Sequence, residues 1–307
     1  MIDPSVQRED IPAPQRTYRI RHTTVYAYSA TMTDSYTVAA ITPRPTPWQE
    51  VLSTQVVVDP EANEADQYLD VFGNRISQFG LHEPHTRMSI EADSTVMVTE
   101  RPYPHDPTPW ETVVELLDGL SDSLATDVCF LRGASTFIDF DRWKIPLRTL
   151  GQDAFPPGTG IIDGARSLCD AIFRGFVFDP TSTDVSTPLG QVLDQRRGVC
   201  QDFAHLATAV LRSQGLAARY VSGYIETEPP PGRPRLVGAD ASHAWCSVWT
   251  PNEGWVDFDP TNGHLPVNRH VTVAWGRDYA DVTPVRGVMI GPAAGQSLEV
   301  SVDVAPV

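Results

Sequence analysis

Positive charge is scarce in this 307-residue sequence: 23 Lys and Arg stand against 39 Asp and Glu, a formal net charge of −16. The average surface therefore repels a phosphate backbone or an anionic bilayer, so neither nucleic acid nor membrane is an expected partner. Cysteine is sparse too. Cys129, Cys169, Cys200 and Cys246 include no C-x-x-C pair, which argues against a zinc ribbon or a disulfide scaffold and leaves room for one reactive thiol among buried ones. No run of about 18 apolar residues is present, and the opening MIDPSVQREDIPAPQRTY has no apolar signal-peptide core, so the expected location is the cytoplasm. Neither a D-x-[DN]-x-[DN]-G calcium loop nor an internal repeat or low-complexity tract occurs.

Apolar residues, at 41%, are close to the ordinary globular share, which excludes a disordered or fibrous chain. The length suggests about two domains at roughly 150 residues each. From Tyr18 to Thr99 short β-branched and aromatic runs alternate with polar residues: Tyr18, Ile20 and His22 interleave with Arg19 and Arg21. Gly73-Asn74 between Tyr68–Phe72 and Arg75–Phe79 is a hairpin signal. This part reads as an antiparallel β domain over 1–105, with a flexible opening segment. A core over 106–290 follows, and a closing alternation at Leu298–Val304 within 291–307 forms a strand that can return to the N-terminal sheet.

Helical periodicity begins at Thr108-Pro109-Trp110-Glu111, whose order of Thr cap, Pro and Glu predicts a capping box, with Val113, Leu116, Leu117 and Leu120 on one face. A second amphipathic helix spans about Asp163 to Arg174, with Ala165, Leu168, Cys169, Ile172 and Phe173 facing inward. Cys169 is thus expected to be a buried structural thiol. A third helix starts near Val199 or Cys200 and ends before Gly215. Strands follow at Ala218–Glu226, His243–Trp249 and Trp255–Asp259, with a Pro-rich exposed loop at Pro229–Pro234 that can border a cleft.

Cys200 opens the third helix, where the macrodipole and unpaired N–H groups favour an anionic sulfur. A nucleophilic thiol needs a base, and the base needs a group that fixes its tautomer. If the hairpin after His243 turns at Asn252, Trp249 faces Trp255, Ser247 faces Asp257, and His243, Trp245, Asp257 and Asp259 share a face. Asp259 is then diagonal to His243 and within side-chain reach, while Asp257 is a step further. Cys246 points to the opposite face, into the core. His205, five residues after Cys200, points well away from it around the helix and is expected to pack. Asp240 and His264 read as solvated loop residues, and Trp249 with Trp255 as a cross-strand pair.

The segments Gly198-Val199-Cys200-Gln201-Asp202-Phe203-Ala204-His205, Ala218-Arg219-Tyr220-Val221-Ser222-Gly223-Tyr224, Ala241-Ser242-His243-Ala244-Trp245 and Phe258-Asp259-Pro260-Thr261-Asn262 resemble bacterial transglutaminase-like proteins. Tyr18–Val98 resembles the β-rich region that accompanies that core. The resemblance implies an α+β fold, a papain-like transglutaminase core whose Cys-bearing helix packs on an antiparallel sheet, preceded by an antiparallel β domain. It implies Cys200, His243 and Asp259 as a catalytic triad, with no cofactor. One departure is plain: transglutaminases proper use an upstream indole at the oxyanion, whereas here Phe176 and Phe178 precede Cys200 and the nearest upstream indole is Trp143.

The expected activity is thioester chemistry on amide, peptide or isopeptide bonds, hydrolytic rather than transamidating, with a peptide or protein as substrate. Two rivals stand beside it: an inert protein-binding module on the same fold, and a zinc protein using Cys200, His243 and a further ligand. The last draws on a donor set that is unusual for zinc.

Overall fold

The structure is a computed structural model that describes residues 13–120, 128, 131–139, 142–227, 242–293 and 295–307. The expectations for the opening segment, Cys129, Asp240 and the loop at 229–234 lie outside these residues. The fold is mixed α+β, with antiparallel sheets and a β-rich N-terminal region.

Two four-stranded antiparallel sheets form that region. The first has the order β14-β1-β6-β3, from β1 (Gln15–Met32), β3 (Gln49–Asp59), β6 (His85–Thr99) and β14 (Gln296–Pro306). The second has the order β13-β2-β5-β4, from β2 (Asp34–Ala39), β4 (Glu64–Leu69), β5 (Arg75–Leu81) and β13 (Val285–Ile290). Burial alternates along β1 and β6 with the strand period of two, so each shows one apolar face. That face serves two neighbours. Tyr26, Tyr28, Met88 and Ile90 pack with Ile41 and Phe79 of the second sheet region, whereas Tyr18, Ile20, Val96 and Val98 pack against Tyr220, Ala244 and Val271 of the core. Leu69 pairs with Arg75 across the hairpin signalled by Gly73-Asn74. The turn is five residues long because Asp70 Oδ1 accepts from the Phe72 and Asn74 amides, with Gly73 in the left-handed region.

The core sheet has the order β11-β10-β9-β12, from β9 (Ala218–Ile225), β10 (Ser242–Thr250), β11 (Gly254–Phe258) and β12 (His270–Gly276), all antiparallel. Its helical side holds α1 (Trp110–Gly119), α2 (Lys144–Ala154), α3 (Ile161–Gly175), α4 (Leu189–Gln195) and α5 (Cys200–Ser213); the short α6 is Tyr279–Val282, and the two-residue strands β7 (Val177–Phe178) and β8 (Arg197–Gly198) pair in parallel. The helix α5 is buried almost all round, as a central helix must be. Two sequence expectations fail locally. Thr108 and Glu111 form no capping box: α1 has no side-chain cap, and Glu111 Oε1 instead accepts from the Gly158 amide at 2.9 Å, a tertiary donor's pull on a side chain that the local pattern assigned to the helix end. Leu116 and Phe173 are about half exposed, because the inward stripes of α1 and α3 are narrower than the sequence pattern suggested.

Candidate functional site

The site assembles where α5 begins beside the end of β10. Arg196 adopts a left-handed conformation that ends α4, and two residues later Gly198 leads into α5. A Cβ on Gly198 would lie 2.7 Å from the Asp202 carboxylate, which accepts from the Val199 amide at 2.8 Å and from the Thr183 hydroxyl at 2.7 Å. Burial raises Asp202 above the usual carboxylate range. This clasp fixes the turn before Cys200, whose half-buried thiol sits in the first helical turn, where amides lack intrahelical acceptors.

His243 stands on β10 opposite Gly223 of β9. Its Nε2 is 2.7 Å from Asp259 Oδ2, and the Cys200 side chain is a hydrogen-bond partner of the same ring. Since Nε2 faces Asp259, Nδ1 is the ring atom available to the sulfur. Burial opposes charge on this imidazole, but the hydrogen bonds to Asp259 and Cys200 outweigh it and lift His243 to about 10. Asp259 is fully buried. Burial alone would raise it, yet the two histidines bonded to it hold it well below the usual carboxylate range. The structure thus brings Cys200, His243 and Asp259 together in the order sulfur, imidazole, carboxylate.

The hairpin register agrees with the sequence geometry: Trp249 faces Trp255 and Ser247 faces Asp257. Asp257 is turned to Arg101, 2.5 Å away, and takes no part in the triad arrangement. His205 accepts from the Tyr279 amide at 3.1 Å, stacks on Phe137, and is lowered by burial to about 4, so it is a packing residue. Cys169 and Cys246 are buried in the core, with Cys246 Sγ donating to the Phe258 carbonyl. Trp143 packs against Gly190 in the helical layer, and Phe178 lines the site.

Two contributors escaped the sequence reading. His270 of β12 places Nε2 2.9 Å from the same Asp259 oxygen, and Asn262 Nδ2 donates to it at 2.7 Å. The signal for His270 was only a histidine within an alternating strand, and Asn262 appeared merely at the end of a motif. The Asp259 backbone and side chain are further locked: Oδ1 accepts from the Thr261 and Asn262 amides, and the Asp259 amide donates to the His264 carbonyl.

His243, Asp259 and His270 are the group among the described residues whose ligand atoms converge within 4.8 Å. Both ring nitrogens and the Asn262 amide nitrogen point at one oxygen. That is a hydrogen-bonded carboxylate, with a donor standing where a cation would approach. A cavity of about 990 Å³ opens over Cys200 and His243, bordered by Phe178, Ser242 and Asn262.

The chain matches the family model for the bacterial transglutaminase-like N-terminal region over residues 18–97, and that for the transglutaminase-like superfamily over residues 149–260. An uncharacterized protein of Mycobacterium tuberculosis is 40% identical over 298 residues, covering 94% of this chain and 92% of that protein. A protein-glutamine gamma-glutamyltransferase of Pseudomonas aeruginosa is 36% identical over 104 residues, 31% of this chain and 16% of that protein. The crystal structure of a candidate cysteine protease from Cytophaga hutchinsonii superposes with a TM-score of 0.74 at 21% identity, covering 96% of this chain and 92% of that one, a likeness of fold.

Proposed function

The chain belongs to the transglutaminase-like superfamily, a family of cysteine enzymes, and from that premise we propose that it is a cysteine acyl-transfer enzyme that hydrolyses amide, peptide or isopeptide bonds through a thioester. The supporting observation is the line from Cys200 through His243 to Asp259, opening on one cavity. In this reading the Cys200 proton already rests on His243 Nδ1, in keeping with the raised imidazole, and Sγ attacks the carbonyl carbon beside that imidazolium. The Cys200 amide, free in the first turn of α5, donates to the developing oxyanion. Collapse breaks the C–N bond, His243 returns the proton to the departing amine, and a thioester remains on sulfur. Water then attacks the thioester, giving a proton to His243 that stays there as the sulfur leaves as thiolate. Asp259 holds the imidazolium in both halves, and His270 with Asn262 hold Asp259.

The preference for water over an amine as the second nucleophile rests on the open, solvent-facing cavity and on the lack of any sequence signal for a dedicated amine site. A peptide or protein substrate in the cytoplasm completes the proposal. Incubating the pure protein with a glutamine-containing peptide library and a biotin-tagged amine tests it. Free acid should exceed tag, and mass spectrometry should find an acyl adduct on Cys200. Tag in excess makes the enzyme a transferase, and turnover or an adduct that survives Cys200→Ala removes the proposed nucleophile.

A further inference from the structure

At the seam between the N-terminal β layers and the core sheet lies another cavity, of about 510 Å³. Three guanidinium groups border it: Arg44 from the segment after β2, Arg101 just beyond β6, and Arg219 on β9. Asp257 is the buried carboxylate among them, and Arg101 Nη1 occupies it at 2.5 Å. Arg44 uses Nη1 on the Phe72 carbonyl and on Asn74 Oδ1, leaving Nε without a partner. Arg219 is 7% exposed, and its side-chain Nε has no hydrogen-bond partner among the described residues.

What holds Arg219 is aromatic. Its guanidinium lies 4.5 Å from the Trp255 ring centre and 3.6 Å from that of Trp275, and Arg44 lies 3.2 Å from the Trp275 centre. Such stacking engages the face of a guanidinium and leaves its N–H edge free for an acceptor. Burial lowers Arg219 to about 9 and Arg44 to about 10, so both stay charged at neutral pH. Arg219 is attracted by Asp257 but repelled by Arg44 and Arg101. Buried charges in folded proteins are ordinarily paired and hydrogen-bonded. Asp257 is ion-paired to Arg101, the exposed Glu253 at the cavity rim accepts from the His105 amide, and Asp70 attracts Arg44, so among the described residues Arg219 has no carboxylate at bonding distance.

We propose that this seam is an anion site, where Arg219 and Arg44 bind the carboxylate or phosphate of a small ligand whose apolar body lies against Trp255 and Trp275. A bidentate oxyanion matches the free N–H edges, and the concave, aromatic-walled space suits a small molecule. None of the three arginines borders the Cys200 cavity, so the site stands independently of the proposed hydrolase activity.

Titration of the full chain with sodium succinate and with inorganic phosphate, at ionic strength fixed with chloride, tests the proposal by calorimetry and tryptophan fluorescence. At least one anion should saturate a single site with a Kd in the millimolar range or tighter, and fluorescence should follow the same curve. Tighter succinate assigns a carboxylate ligand; tighter phosphate assigns a phosphate ligand. Arg219→Gln and Arg44→Gln, checked by circular dichroism, should each weaken binding at least about tenfold, while Cys200→Ala leaves it unchanged. Absence of saturation by both anions in the wild-type protein overturns the proposal and leaves the arginine–tryptophan stack a purely structural seam. So does affinity unaltered in a folded Arg219→Gln or Arg44→Gln variant.

Discussion

Asp259 accepts three side-chain donors on one oxygen, and that concentration makes it the residue whose loss costs most. Asp259→Ala leaves His243 without an orienting partner and His270 buried beside a void. Activity on any amide substrate should fall by about 10²- to 10⁴-fold in kcat with a smaller change in KM. His270→Gln, which keeps a donor, should lose far less. Alkylation by iodoacetamide at neutral pH should label Cys200 and spare Cys169 and Cys246 in the folded protein, since both of these are buried; peptide mapping by mass spectrometry reads this directly. The folded pKa of His243, about 10, lies above its unfolded value near 6.5. The stability it contributes is therefore complete below 6.5 and lost as pH rises through about 10. His243→Gln should remove that alkaline limb from a plot of Tm against pH. Cys200, His243 and Asp259 were legible because a helix start and a hairpin register are local features. His270 was not: its approach to Asp259 depends on how β12 pairs with β9, with an irregularity between Thr272 and Ala274 that no local pattern marks.

Strand β9 is flanked on both sides, by β10 and β12, and Gly223 sits where the two neighbours press closest. A Cβ there would stand 2.1 Å from the Val271 carbonyl oxygen and 2.5 Å from the Trp245 ring. His243 pairs with Gly223 on one side and Thr272 pairs with it on the other, so any shift that relieves this overlap moves the strands bearing both histidines. Gly223→Ala should lower stability by at least about 1–3 kcal/mol, the usual range for overpacking, and should reduce activity beyond what the lost stability explains. Thermal melting alongside kinetics at a permissive temperature distinguishes these effects. Elements with a strong period, such as α3, α5 and β1, followed from spacing alone. The start of α1 did not, because a tertiary donor, the Gly158 amide, competes for Glu111.

The first β sheet is shared between two cores: one end of β1 and β6 closes the second sheet, the other closes the layer of β9, β10 and β12. Length suggested two domains but could not show one strand serving both. Val302 and Val304 of β14 are buried with Tyr18 and Ile20. Removing residues 296–307 should therefore lower Tm, expose the β1 edge, and produce aggregation visible by light scattering. A second property of the whole molecule concerns acid. His22 and His205 are buried and neutral, each lowered by burial to about 4 from an unfolded value near 6.5. The unfolded chain takes up protons first, so stability is complete above 6.5 and declines as pH falls towards 4, by on the order of 3 kcal/mol per histidine. Denaturant midpoints measured across that interval should fall, and less steeply in His205→Phe.

Because β1 and β14 run antiparallel with Tyr18 opposite Pro306, the two outer ends of this pair emerge side by side. Tension applied between those ends meets the interstrand hydrogen bonds one at a time, as in opening a zip, rather than shearing them all at once. A machine that grips the C-terminal end would strip β14 away at low force, before it loaded the layer that carries Cys200.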